Sequence, residues 1–379
     1  MIAYTRLLRG FDLGHCLRTV FLLFAAISEA VQVPLLYNDD PSSASKATAA
    51  VESLMSFYNQ TSGRWGSDSD PWWGSGNALQ AILDFMAKTG SRDYMPEAAN
   101  TIDIQRAPLD WWPDGGGDFR ADSTDDTGWW ALANLRMYSL TNDEEYLTIS
   151  KEDEEYMSKY RDNGTCNGGI LWSIRNLSYN NAISNELYLM LTISLHNTIP
   201  GDDYYLSRAL DEWKWFNQSG MINSEYLIND GLSDNNETCI NNNDTTWTYN
   251  QGVILGALAE LFKATGEEDY LDVARKIADA VIASDLLSPD GILTEPCEAD
   301  DTCEPNGTAF KGIFVRYLSQ LNNVLADTPY TEYLGNQAAS VYQFNRNSSD
   351  FYGIHWDGPV EEIVVGTQAS AVSLLTAVL

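Results

Sequence analysis

One short pattern recurs five times along the chain and constrains its fold more than any other feature. KTGSRDY (Lys88–Tyr94), LTNDEEY (Leu140–Tyr146), IPGDDYY (Ile199–Tyr205), ATGEEDY (Ala264–Tyr270) and ADTPY (Ala326–Tyr330) share one form. Each is a small turn containing Gly, Asn, Asp or Pro, mostly followed by acidic residues and always by Tyr. Gly or Asn ends one helix, and acidic residues open the next, where they complement the positive end of its dipole. The turns lie about 50–65 residues apart, which fits one helical hairpin plus a loop. Apolar residues on either side recur at helical spacing, as in GVILGALAELFKA before one turn and YLDVARKIADAVIA after it. No alternating strand runs stand out.

The periodicity predicts twelve helices, over 42–60, 74–89, 91–106, 125–140, 143–160, 181–197, 202–217, 247–264, 267–285, 308–326, 330–346 and 365–378. Five join their successor through a tight turn, and the first and last are left to pair with each other. Six pairs in a ring make an all-α (α/α)6 barrel. An open solenoid of hairpins would need polar capping faces, which the sequence lacks. No Pro-, Ser- or Gly-rich linker splits residues 31–379, so a single domain is expected. The connections 107–124, 161–180, 218–246, 286–307 and 347–364 run to roughly twenty residues or more. Each leads into the first helix of a pair, so all five gather at one end. Loops of that length in a compact domain are usually functional. The active site is expected there.

The first thirty residues read as an address. Arg6, Arg9 and Arg18 precede the apolar run Val20–Ile27, and Ser28-Glu29-Ala30 offers small residues for cleavage. The run is far shorter than the ~20 residues of a membrane span. Four cysteines then remain: Cys166, Cys239, Cys297 and Cys303. An even count in a secreted chain reads as disulfides; six-residue spacing favours Cys297–Cys303 and leaves Cys166–Cys239. A zinc site built from all four would want a CxxC knuckle, which is absent. Sequons at Asn59, Asn163, Asn176, Asn217, Asn236, Asn243, Asn306 and Asn347 fit the same compartment. The C-terminal TQASAVSLLTAVL has no polar spacer or long tail of a GPI signal. The expected location is secreted, at the cell wall or the outer membrane face, with an anchor only if the native chain continues.

Charge narrows the partners. The 54 acidic residues exceed the 22 basic ones, for a net charge of −32. Residues 1–30 carry three Arg against Asp12 and Glu29, so without them the charge is −33. Such a surface repels nucleic acid and anionic membranes. With 12 Trp and 20 Tyr, an acidic soluble chain points to carbohydrate, whose apolar C–H faces stack on aromatic planes. The three histidines, His15, His196 and His355, are too few for a multi-histidine metal site. A monomer using no metal and no cofactor is expected.

The chemistry concentrates in Thr124-Asp125-Asp126-Thr127-Gly128-Trp129-Trp130, where two adjacent Asp open an apolar helix after a glycine-rich loop. The plain explanation for such a pair is helix capping. The other is catalysis: glycosidic bonds are cleaved by two carboxyl groups, one protonating the leaving oxygen and one supporting an oxocarbenium-like centre. Mutual repulsion would raise the pKa of one of them, as a general acid requires.

At DDTGWWALA, and again at GGILWSIRNLSYNNAISNELYL, TWTYNQGVILGALAELFKATG, FKGIFVRYL and TQASAVSLLTA, the chain resembles glycoside hydrolase family 76. These are the endo-α-1,6-mannanases and their fungal cell-wall relatives. The resemblance covers nearly all of the chain after the leader. It implies an (α/α)6 barrel and retaining hydrolysis of internal α-1,6-mannosidic bonds, with Asp125 as nucleophile and Asp126 as acid/base. Two departures are Gly128, where a larger residue is expected, and Asn306, where a carboxylate is common. Around the pair, Trp73, Trp129 and Trp130 are candidates to stack mannose rings, with Trp72 facing the same choice between stacking and core. Asn181, Trp247, Tyr249, Asn250, Gln251 and Lys311 are candidates for mannose hydroxyls, with Glu186 orienting neighbours, Gln368 a further candidate and His355 structural. A transglycosidase passing mannose-containing glycan (GPI-glycan or mannan) to wall glucan would use the same two Asp. A non-catalytic mannan-binding wall protein would not need them intact.

Overall fold

The computed structural model describes residues 41–379 apart from 111–115, 165 and 235–237, so the leader expected at 1–30 and the sequon at Asn236 lie outside the described residues. Among the described residues there are twelve α-helices: α1 Ser43–Met55, α2 Trp72–Thr89, α3 Met95–Gln105, α4 Thr124–Thr141, α5 Glu144–Ser158, α6 Ala182–Thr198, α7 Tyr204–Gln218, α8 Thr248–Thr265, α9 Asp269–Ile282, α10 Phe310–Val324, α11 Thr331–Phe344 and α12 Val365–Ala377.

The even-numbered helices form a closed inner ring. Each packs on the next, α2 on α4, α4 on α6, α6 on α8, α8 on α10 and α10 on α12, and α12 returns to α2. The odd-numbered helices lie outside, and α1 packs on α12, closing the ring with the first and last helices of the chain. This is the (α/α)6 barrel that the turn spacing predicts. Sequence composition decides the layers. Inner α6 (AISNELYLMLTISLHNT) buries nearly its whole length, as a helix apolar on all sides must. Outer α9 buries one stripe, Tyr270, Leu271, Ala274, Ile277, Ala278 and Val281, at helical spacing.

The recurrent turns work as read. Asn142 (φ 57°) and Gly266 (φ 75°) end α4 and α8 in the left-handed conformation, and Asp143 caps α5 by accepting the Glu145 N–H. The repeated Tyr always sits at the cap or first turn of the outer helix; Tyr270 packs on Trp213 and Tyr330 donates to Asp279. Differences from expectation are local. α1 stops at Met55 because Tyr58–Asn59 pairs with Arg64–Trp65 in a short antiparallel hairpin. α3 starts at Met95 because Pro96 is seated in its first turn. A second hairpin pairs Leu232–Asp234 with Cys239–Asn241; strands of two or three residues leave no periodicity to read.

Gly128 has a packing cause. A Cβ there would stand 3.0 Å from the Leu187 Cβ and 3.3 Å from the Met157 methyl, so α4 and α6 approach too closely for a larger residue. The disulfides are Cys166–Cys239 and Cys297–Cys303. The first spans 73 residues and ties the loop before α6 to the loop before α8, a closure worth about 4 kcal/mol on chain-entropy grounds. No helix among the described residues is long and apolar enough to cross a membrane.

Candidate active site

Inner helices begin at the long-loop end and finish at the turn end, so their positive N-terminal poles converge beneath the loops. Asp125 and Asp126 occupy the first turn of α4, after Ser123, whose backbone is extended and whose side chain makes no capping bond. Asp125 Oδ1 accepts the N–H of Asp126 at 3.0 Å, so part of the capping role is real. Both side chains nevertheless stay partly open to solvent.

Their electrostatics set the two apart. Burial raises Asp125 to about 6, while hydrogen bonds from Ser123, the Asp126 backbone and Trp172 pull it back. Asp126 is raised further, well above the carboxylate range, first by burial and then by the negative charge of Asp125. Both carboxyls are therefore held above their ordinary range, and the charge of one adds to the rise of the other. A raised carboxyl beside a second one is what a proton donor paired with a nucleophile requires.

Aromatic rings continue from the pair. Trp129 lies one turn along α4, on the same face as Asp125 and Asp126. Trp73 stacks on it at 5.8 Å and on Phe310 at 6.1 Å. Phe310 also carries Tyr249, stacked at 3.9 Å, and Trp247 edge-on at 5.6 Å. Trp73 Nε1 donates to Asn306 Oδ1 at 2.8 Å. Rings from the starts of α2, α4, α8 and α10 thus form one cluster beside the acids, in which Trp129 and Phe310 are buried and Trp73, Trp247 and Tyr249 are half-buried. Burial raises the Tyr249 hydroxyl, and the charges of Asp230, Asp125 and Glu186 add to the rise. Tyr179 donates to Asp230 and accepts from Asn242.

Several expected contacts are corrected. Trp130 is fully buried and packs behind this cluster on Phe119 at 4.9 Å and Trp72 at 5.1 Å, so it is core and cannot stack a sugar; Trp72 is core with it. Asn181 caps α6 by accepting the Ser184 N–H. Gln251 accepts the Ile228 N–H and donates to the carbonyls of Ile228 and Trp247, leaving nothing for a ligand. Lys311 is 2% exposed, paired with Glu298 at 2.5 Å and donating to the Ile354 carbonyl, and braces the Cys297–Cys303 loop from below. Gln368 holds Tyr352 and Ala50, and His355 sits between Glu298 and Asp301. Asn250 and Glu186 are completely buried.

Sequence reasoning missed Trp172, Phe310, Tyr179 and Asp230. Trp172 stands on the loop before α6, 42% exposed, with its indole directed at Asp125. An indole left that open in an aromatic-rich loop was the available signal.

The chain matches the family of glycosyl hydrolase family 76 over residues 42–379. A putative mannan endo-1,6-alpha-mannosidase of Schizosaccharomyces pombe is 25% identical over 77% of this chain and 66% of the relative. The mannan endo-1,6-alpha-mannosidase DCW1 of Eremothecium gossypii is 26% identical over 74% of this chain and 65% of its own length. The chain thus spans about two thirds of these relatives. Among solved structures, an alpha-1,6-mannanase of Salegentibacter sp. HEL1_6, inactivated at two adjacent aspartates and bound to alpha-1,6-mannotetrose, superposes with a TM-score of 0.80 at 25% identity, covering 89% of this chain and 99% of that one. Dfg5 of Chaetomium thermophilum, in complex with glucosamine, shares the fold at 18% identity and a TM-score of 0.77 over 90% of this chain and 92% of its own. With the barrel, the paired acids at the head of α4 and this match over nearly every described residue, the chain belongs to glycosyl hydrolase family 76.

Proposed function

We propose that the protein is a secreted or wall-associated retaining glycosidase that cleaves internal α-1,6-mannosidic bonds of mannan. The observation that carries this reading is the unequal acid pair beside an aromatic cluster. Asp125, the more acidic of the two, attacks the anomeric carbon as the glycosidic bond breaks. Asp126 gives its proton to the departing oxygen. In the second step Asp126 takes a proton from water, which attacks the anomeric carbon and frees Asp125. Trp172 and Ser123 hold the nucleophile by hydrogen bonds that favour its ionised form. Trp73, backed by the buried Trp129, and the exposed edge of Trp172 offer faces to pyranose rings, and Tyr249 offers a hydroxyl. The relatives named as mannan endo-1,6-alpha-mannosidases, and the mannanase whose paired aspartates were replaced, support this assignment.

The test is product analysis on linear α-1,6-mannooligosaccharides, followed by NMR from the first turnover. Internal cleavage with retention of the α-anomer is the expected result. An inverted first product would overturn the nucleophilic role of Asp125, and an inert α-1,6 chain would overturn the substrate. Adding an acceptor glycan to the same assay separates transfer from hydrolysis.

A further inference from the structure

The inner helices finish at the turn end, and all six contribute to one cavity of about 770 Å³ there: Gln80, Arg136, Asn197, Glu260, Arg316 and Thr376 come one from each. That volume lies in the range of small-molecule sites. Arg136 stands about 16 Å along α4 from Asp125 at the helical rise. Trp129 to Leu135, between them, are all buried. The cavity is therefore separate from the loop-end site.

Its acids are already engaged. Asp84 accepts from Gln80 at 3.1 Å and lies against Arg136 and Arg316. Glu260 accepts from Asn197, Lys263 and Gln320. Other polar groups on the wall are not. The side chains of Lys88 and Asn323 make no hydrogen bond or ion pair among the described residues, and the terminal nitrogens of Arg136 make no hydrogen bond there. The Thr376 hydroxyl, on a residue 6% exposed, and the Gln80 Oε1 are buried without a partner among the same residues. Leu132, Leu135, Met190 and Tyr317 add apolar surface to the wall.

Charge narrows the class of ligand. Four cations, Lys88, Arg136, Lys263 and Arg316, line the cavity with two acids, an excess of two. Six helix C-termini converge on the same space, each worth about −0.5 of a charge, which returns about −3. The balance is close to neutral and favours an uncharged ligand over a phosphate or a metal ion. Hydroxyl groups both donate and accept. Their oxygens suit the ammonium, guanidinium and amide donors, and their O–H groups suit Gln80. An uncharged molecule dense in hydroxyls, with C–H faces for the apolar wall, is a saccharide.

We propose that the turn-end cavity is a second, non-catalytic binding site for a short neutral saccharide. The inference stands apart from the reading of Asp125 and Asp126, since neither lines the cavity.

The test reads the cavity through the methyl group of Met190. Asp125→Asn protein carrying isotope-labelled methionine methyls is titrated by NMR with α-1,6-mannotriose, with maltotriose as a second neutral saccharide, and with inorganic phosphate. Met190→Leu identifies the signal. A saturable shift of Met190 with at least one saccharide, and none with phosphate, is expected. Asn323→Trp, which fills the mouth from an exposed position, should abolish that shift. Arg136→Met, which removes free donors, should weaken the apparent Kd by roughly tenfold. Circular dichroism of both variants checks that the barrel is retained. No Met190 shift with either saccharide, a shift with phosphate alone, or a shift indifferent to both substitutions would overturn the proposal. If mannotriose proves not to be a substrate of the wild type, the proposed activity fails, while the Met190 titration still decides the second site.

Discussion

The two ends of the barrel are built from the same six inner helices, yet Asp84 and Glu260 at one end and Asp125 and Asp126 at the other have different partners. At the turn end a cavity of about 770 Å³ opens among the last turns of those helices, lined by Lys88, Arg136, Lys263 and Arg316 against Asp84 and Glu260. There Asp84 lies 2.8 Å from Arg136 and 3.4 Å from Arg316, and Glu260 lies 2.7 Å from Lys263. Cations suit this end, because helix C-termini present negative poles. At the loop end the groups acting on Asp125 and Asp126 are a hydroxyl, an indole, a backbone N–H and other carboxylates. Burial without a cation raises a carboxyl, as at Asp125 and Asp126. This cavity lies at the end opposite Asp125 and Asp126. Asp125 and Asp126 have no ion-pair partner among the described residues.

Substitutions sharpen that contrast. The largest effect is expected from Asp125→Asn and Asp126→Asn, each lowering kcat by roughly three or more orders of magnitude. Their effect on stability has a definite sign. Both folded-state values are raised, so the native chain holds protons more tightly than the unfolded one. The stability these groups contribute is complete below the unfolded carboxylate value near 4, and it is lost as pH rises through about 6 for Asp125 and higher for Asp126. Either Asn variant should therefore melt no lower than wild type at pH 7, and a large drop in Tm by calorimetry would restore the capping explanation. At the other end Asp84→Asn strips the partner of two arginines. It should cost about 1–3 kcal/mol by urea unfolding while leaving kcat unchanged; a loss of activity there would erase the distinction between the ends. The smallest effect is that of Trp172→Phe, which keeps a ring but removes the donor to Asp125. It should lower kcat/KM by roughly tenfold, about the value of one hydrogen bond to a charged group. It should also move the acid limb of the pH profile upward, since that bond lowers Asp125. An acid limb that stays in place would remove Trp172 from the site.

What could be read from the sequence followed from local physics. Helix starts and stops, the alternation of short turns with long loops and the placing of two acids at a helix N-terminus all depend on residues within a few positions of one another. That is why twelve helices were legible, and the close Cys297–Cys303 pair with them, while Cys166–Cys239, 73 residues apart, followed by elimination among four cysteines. The sides of the inner helices were not legible. Trp129 and Trp130 are adjacent in sequence but about 100° apart around the helix axis, and both are buried: Trp130 under Phe119 and Trp72, Trp129 under Trp73, which the sequence could not show. The amides of Asn181 and Gln251 look free in the sequence and are taken up by backbone groups, in Gln251's case 23 residues away. Trp172 reaches Asp125 from a loop that joins Thr124 through backbone hydrogen bonding between Thr124 N–H and the Trp172 carbonyl. The sequence by itself determined the barrel and the seating of the acid pair at the start of an inner helix. Which rings face the groove, which polar groups remain for a ligand and how far apart the two acids titrate were decided by tertiary contacts, because burial and distant partners set all three.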